Sequence, residues 1–174
     1  MNIRNFTRLA GAIVAALMIG SCGGGQQQPK SYVSELTSDD SMTISMGRWD
    51  LIKYHSDKLG IDINYPSFLY HQNLPGEHSQ EIFLKDDISL SIIVDSLNGM
   101  SYSAGQQMLS MGADLVEVGD DYSILMGADE SWDYYGKVID ADTTRVITVM
   151  LRYNPEHGEA VEPLREWVNN FSGK

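Results

Sequence analysis

Four histidines, His55, His71, His78 and His157, and a large excess of aspartate and glutamate are the residues with the most chemistry to offer. His71 and His78 flank a loop holding Pro75-Gly76-Glu77. His71, Glu77 and His78 could therefore bring two imidazoles and a carboxylate to zinc, the ligand set of a metal-dependent hydrolase. Zinc needs three or four such groups held in fixed geometry, which a loop does not guarantee. Acidic pairs recur at Asp86-Asp87, Asp120-Asp121 and Asp129-Glu130, and Asp140 precedes Asp142. Calcium needs six or more converging oxygens. The stretch from Asp140 to Thr144 opens like a calcium loop, but Arg145 stands where glycine is required and Leu151 where a bidentate glutamate belongs. Aspartate also suits tight turns through hydrogen bonds to its own backbone. These sites are read as turns first and as weak calcium or small-ligand sites second. Trp132, Tyr134 and Tyr135 cluster in a strand-like stretch. Alternation sends Trp132 and Tyr134 to one face and Tyr135 to the other. They make a candidate binding surface for peptide or carbohydrate, although strand aromatics more often pack against their neighbours.

The chain has no GxSxG elbow, no HExxH, no CxxC pair and no phosphate-cradling glycine loop. Its lone cysteine, Cys22, forms no internal disulfide. The expectation is a domain with no catalytic constellation and no cofactor.

The elements that would position these residues are mostly strands. Trp49 to Tyr54 alternates, and Ile61, Ile63 and Tyr65 share one face before Pro66 ends the run. Gln80 to Lys85 and Ile88 to Val94 form a hairpin across Asp86-Asp87, with Ile88, Leu90, Ile92 and Val94 on the apolar face. Ser103 and Gln106 fit a capping box, so a helix is expected from Ser103 to Met111, stopped by Gly112. Further strands follow at 115–118, 122–126, 131–139 and 146–153, with Ile147, Val149, Leu151 and Tyr153 on one face of the last. A closing helix over 158–171 carries Val161, Leu164, Val168 and Phe171 as one stripe, with Pro163 in its first turn. Consecutive strands joined by short turns imply an antiparallel sheet covered by helices, an α+β class.

Residues 1–21 read as a signal peptide. Arg4 and Arg8 supply its basic start, Leu9 to Ile19 is apolar, and the small residues Gly20 and Ser21 precede Cys22. The apolar run falls short of the roughly 20 residues a membrane-crossing helix needs. Ile19-Gly20-Ser21-Cys22 resembles the lipobox of bacterial lipoproteins. The resemblance implies cleavage before Cys22, a lipid on its thiol and an acyl chain on its new amino group. With each buried methylene adding about 0.8 kcal/mol, such chains hold a protein to a bilayer almost permanently. Gly23 to Lys30 is rich in glycine and glutamine and reads as a tether, extended through the Ser/Asp-rich stretch to residue 45. The globular domain is expected over 46–174. No acid follows Cys22 directly or lies between Gly23 and Lys30, which by analogy with lipoprotein sorting favours the outer membrane, facing the periplasm.

The formal net charge is -12, and removing the leader with Arg4 and Arg8 takes it to -14. That charge repels phosphate backbones and excludes nucleic acid as a partner. It equally repels anionic headgroups, leaving the lipid on Cys22 as the membrane attachment. The remaining expected partners are other proteins of the cell envelope.

Three features resemble the PsbP-like family. These are the strand Leu59-Gly60-Ile61-Asp62-Ile63-Asn64-Tyr65-Pro66, a central meander ending Trp132-Asp133-Tyr134-Tyr135-Gly136, and a final strand followed by Leu164-Arg165-Glu166-Trp167-Val168-Asn169-Asn170-Phe171. The resemblance spans 49–171 and implies an α/β/α sandwich around an antiparallel sheet. Relatives include a photosystem accessory protein, a Ran-binding nuclear factor and many bacterial lipoproteins, mostly not enzymes. The anchor, the compact domain and the lack of a catalytic constellation lead to the expected function, a membrane-anchored, non-enzymatic binding or accessory module for other envelope proteins.

Intact-mass measurement is expected to give a chain beginning at Cys22 with added acyl mass; an uncleaved, unmodified chain would remove the envelope assignment. Protease treatment of whole cells is expected to leave the domain intact.

Overall fold

The structure is a computed structural model and describes residues 36–74, 79–96 and 103–173. The main sheet is antiparallel with strand order β3-β4-β5-β9-β8-β7-β6. Its strands are β3 (Tyr70–Gln72), β4 (Gln80–Lys85), β5 (Ile88–Ser96), β6 (Asp114–Val118), β7 (Tyr122–Ala128), β8 (Asp133–Asp140) and β9 (Arg145–Tyr153). A separate antiparallel hairpin joins β1 (Leu51–Ser56) to β2 (Ile61–Pro66). The α+β class with an antiparallel sheet is therefore present. No described helix is long and apolar enough to cross a membrane.

The two faces of the sheet follow from the pleat. On one face Phe83, Leu90, Val149 and Leu151 are all fully buried. The hairpin covers that face with Leu59, Ile61 and Ile63, and α3 (Glu162–Asn170) covers it with Leu164 and Val168. On the opposite face α2 (Ala104–Ser110) lies over β7 and β8. Gly105 permits this approach, because a Cβ there would stand 2.5 Å from a methyl of the β-branched Val138 on β8. The capping box forms as expected: the Ser103 hydroxyl accepts from the Gln106 N–H and the Gln106 side chain accepts from the Ser103 N–H.

Three sequence expectations change. Residues expected to belong to the tether up to position 45 include a helix, α1 (Ser38–Ser45). Thr37 caps it by accepting from the Asp40 N–H, and Ile44 is fully buried in the core. The ordered domain therefore begins before residue 46. The closing helix is broken: a 3-10 segment, Pro155–Val161, precedes α3, and Gly158 sits at φ 47, a left-handed value that glycine adopts without cost. The apolar stripe survives the break because Val161, Leu164, Val168 and Phe171 still face inward. Finally, the first strand starts at Leu51 and not at Trp49. Trp49 instead packs its ring against Phe68, with centroids 5.5 Å apart.

Ile44→Ala is expected to destabilise the folded chain by about 2–4 kcal/mol, the cost of truncating a buried aliphatic side chain. Urea unfolding measures this, and an unchanged midpoint would return residues 38–45 to the tether.

Candidate functional site

The densest gathering of polar side chains surrounds Glu81 on β4. Strand alternation points Glu81 inward with Phe83, and its side chain is only 2% exposed. Burying a carboxylate is costly unless it is paired and hydrogen-bonded. Four donors converge on it. On Oε1, the Ser56 hydroxyl donates at 2.6 Å and the Tyr54 hydroxyl at 3.2 Å. On Oε2, His71 Nε2–H donates at 2.9 Å and the Lys58 ammonium lies at 3.2 Å. The donors come from the β1–β2 hairpin and from β3, so one side chain joins the hairpin to the main sheet. Burial pushes the Glu81 carboxyl up, but the donors from Ser56, His71 and Lys58 outweigh it and hold the group below its ordinary value.

A carboxylate offers about four lone-pair positions, and here each has a donor. None is left for a metal ion or a substrate. Ser56 is fully buried, gives its proton to Glu81 and accepts from the Leu59 N–H at 3.1 Å. Its hydroxyl is bonded to a carboxylate and not to an imidazole. The His71 ring is packed beside Tyr54 and Phe83, at centroid distances of 4.5 and 5.1 Å. The cluster works as a clamp.

Each described histidine pairs with a carboxylate and none meets another histidine. His55 bonds Asp62, His71 bonds Glu81 and His157 bonds Asp87. Glu77 and His78 lie outside the described residues, as do Cys22 and the signal-peptide and lipidation readings. Among the described residues no three potential ligands gather to hold a metal. Asp142 is engaged locally: the Thr144 N–H, the Thr144 hydroxyl and the Arg145 guanidinium all donate to it and pull its carboxyl far below the usual range. Asp140 is exposed at the end of β8.

The aromatic cluster is also occupied. The Arg152 guanidinium lies 4.1 Å over the Trp132 ring and 6.0 Å from that of Tyr134. The Tyr134 hydroxyl donates to Asp129; burial and that carboxylate push it up to about 12. Tyr135 points to the other face and donates to Asn169 at 2.8 Å. The expected division of faces holds, while the open platform is covered by Arg152. A half-open cleft of about 200 Å³ lies between the hairpin and α3, floored by Trp167, whose indole N–H donates to the Asn64 carbonyl at 2.9 Å.

The remaining feature is the β6 edge of the sheet. All five of its residues are exposed, and Leu115, Val116 and Val118 are 53%, 57% and 65% open to solvent. Met126 on β7 and Leu109 and Met111 at the end of α2 add exposed apolar surface. The register slips between Leu115 and Glu117, which places Val116 in a bulge. Sequence reading identified this strand but not its exposure, because its apolar residues look like core residues when taken alone.

No family model matches the chain, and no curated protein matches it. Among solved structures, one from Bacteroides thetaiotaomicron VPI-5482 overlaps at a TM-score of 0.38 with 19% identity, covering 64% of this chain and 46% of that one. This chain thus spans less than half of that protein's length. A Pseudomonas aeruginosa protein of unknown function overlaps at a TM-score of 0.37 with 13% identity, covering 72% of this chain and 98% of that one. Likenesses this distant carry no argument about family or activity.

The clamp has a pH signature. Because Glu81 lies below its ordinary value of 4.5 when folded, its contribution is complete above that pH and is lost as pH falls through the folded value. Glu81→Gln is expected to cost about 1.5–3 kcal/mol at neutral pH, the scale of hydrogen bonds to a charged group. It should also flatten the acid limb of stability measured by urea unfolding. Equal acid limbs for the two proteins would show that the carboxylate is not the clamp.

Proposed function

We propose that this chain is a non-enzymatic binding module, held to the outer membrane by lipid on Cys22 and facing the periplasm, that engages other envelope proteins through the β6 edge. The observation that carries this reading is the row of exposed apolar side chains on an edge strand, whose outer side faces no other strand among the described residues. An edge of this kind offers free backbone donors and acceptors beside apolar surface, and soluble proteins normally blunt or cover such edges. Elsewhere the polar groups that suggested chemistry are turned on one another, as at Glu81 and Asp142. We include in the proposal the PsbP-like sandwich implied by residues 49–171. Its support is the antiparallel strand order, with α2 packed on one face and α3 on the other.

A photo-crosslinking residue at Val116 or Val118 is expected to trap a specific envelope protein in cells, whereas the same residue at exposed Lys53 on β1 should not. Equal products at all three positions, or none at β6, would remove the edge as the binding surface.

A further inference from the structure

We infer that the β6 edge receives an extended partner segment in which basic and apolar residues alternate, added as a further strand of the main sheet; this names the partner chemistry of the binding reading above and rests on it. The backbone is suitably placed. Gly119 N–H donates to the Tyr122 carbonyl at 2.8 Å, closing the β6–β7 turn. In an antiparallel ladder such pairs alternate with non-hydrogen-bonded ones. Val118, opposite Ser123, therefore turns its own N–H and C=O away from β7 and toward any incoming strand.

The side chains divide by face. Leu115 and Val118 stand opposite Leu125 and Ser123, on the face that carries α2. Asp114 and Glu117 stand opposite Met126 and Ile124, on the other face. Successive residues of an added strand would meet apolar groups on one side and carboxylates on the other, the period of two that defines a strand. Asp120 and Asp121 extend the acidic row into the turn. Between Lys85 and Lys137 the chain has no lysine, arginine or histidine. Lys137 is within reach of Glu117 and Asp121, but its ammonium is already engaged, donating to the Asn169 and Phe171 carbonyls at 2.6 and 3.0 Å. The Glu117 carboxylate accepts from the Tyr122 hydroxyl through one oxygen, and the residue is exposed. Charge complementarity thus selects a cationic strand. A second copy of this chain would bring the same acids against themselves, a repulsion that protects edges from self-pairing.

The test uses the full chain in neutral detergent micelles and two labelled peptides of about six residues, a typical strand length. One alternates lysine with valine and the other glutamate with valine. The lysine peptide is expected to bind and to slow hydrogen exchange within residues 114–118. The double variant Asp114→Lys with Glu117→Lys, changed only at exposed positions, should weaken it about tenfold and reverse the preference. Equal binding of the two peptides, protection elsewhere in the chain, or a dimer that pairs through β6 would each overturn the inference. If neither peptide binds while crosslinks at Val116 still trap a protein, the partner chemistry fails and the binding reading stands. If both experiments are negative, both fail.

Discussion

A single buried carboxylate governs how this domain closes. Glu81 lies inside the protein with a charge that water would otherwise solvate, and that placement is tolerable only while Tyr54, Ser56, Lys58 and His71 all donate to it. Those donors come from two chain segments, the β1–β2 hairpin and β3, that must both be in register with β4. Satisfying them positions the β1–β2 hairpin over β4, which brings Leu59, Ile61 and Ile63 onto the apolar face of the sheet. The hydrophobic contacts supply most of the stabilisation, being proportional to area. They are not directional, however, and the carboxylate supplies the direction. The same saturation commits the serine, histidine, lysine and glutamate of this cluster to one another.

Covering is unequal along the sheet. Strands β4, β5 and β9 share one core with the hairpin, α1 and α3, and their inward side chains are almost completely buried. Beyond β8 the cover thins, and at β6 every residue is open. Backbone near a clamp and a dense core opens rarely, whereas a thinly covered edge opens readily. The anchoring of the hairpin and the availability of the edge thus belong to opposite ends of one sheet, so a partner could pair with β6 without disturbing the clamp.

The acidic composition acts on that edge in two ways. It disfavours pairing between identical chains, as does the bulge at Val116, which interrupts the regular ladder. It also gives the strand a negative bias, because the stretch between Lys85 and Lys137 carries no base and Lys137 offsets its acids only in part. In the binding reading proposed above, the same residues serve twice: charge opposes self-association of an apolar edge while favouring a strand of opposite sign.

Local pattern determined much of this architecture. The hairpin of 80–85 and 88–94 was legible, the alternation in 88–94 identified the inward face of β5, Ser103 with Gln106 marked the start of α2, and the spacing of Val161, Leu164, Val168 and Phe171 identified the inward side of the C-terminal segment. These signals are readable because they rest on neighbours within a few residues. Helix α1 was not readable, since a short Ser/Asp-rich segment has little periodicity and a single buried anchor, Ile44, whose partners lie far along the chain. The break at Gly158 left the apolar spacing intact and so left no trace in it. His71 stood out in the sequence as a metal ligand, yet Glu81 did not stand out at all, because one glutamate in an alternating strand looks like a solvated residue. Only the tertiary structure could decide that it is buried: the energy that permits a charge to leave water comes from donors up to 27 positions away, and they converge only once the chain has folded.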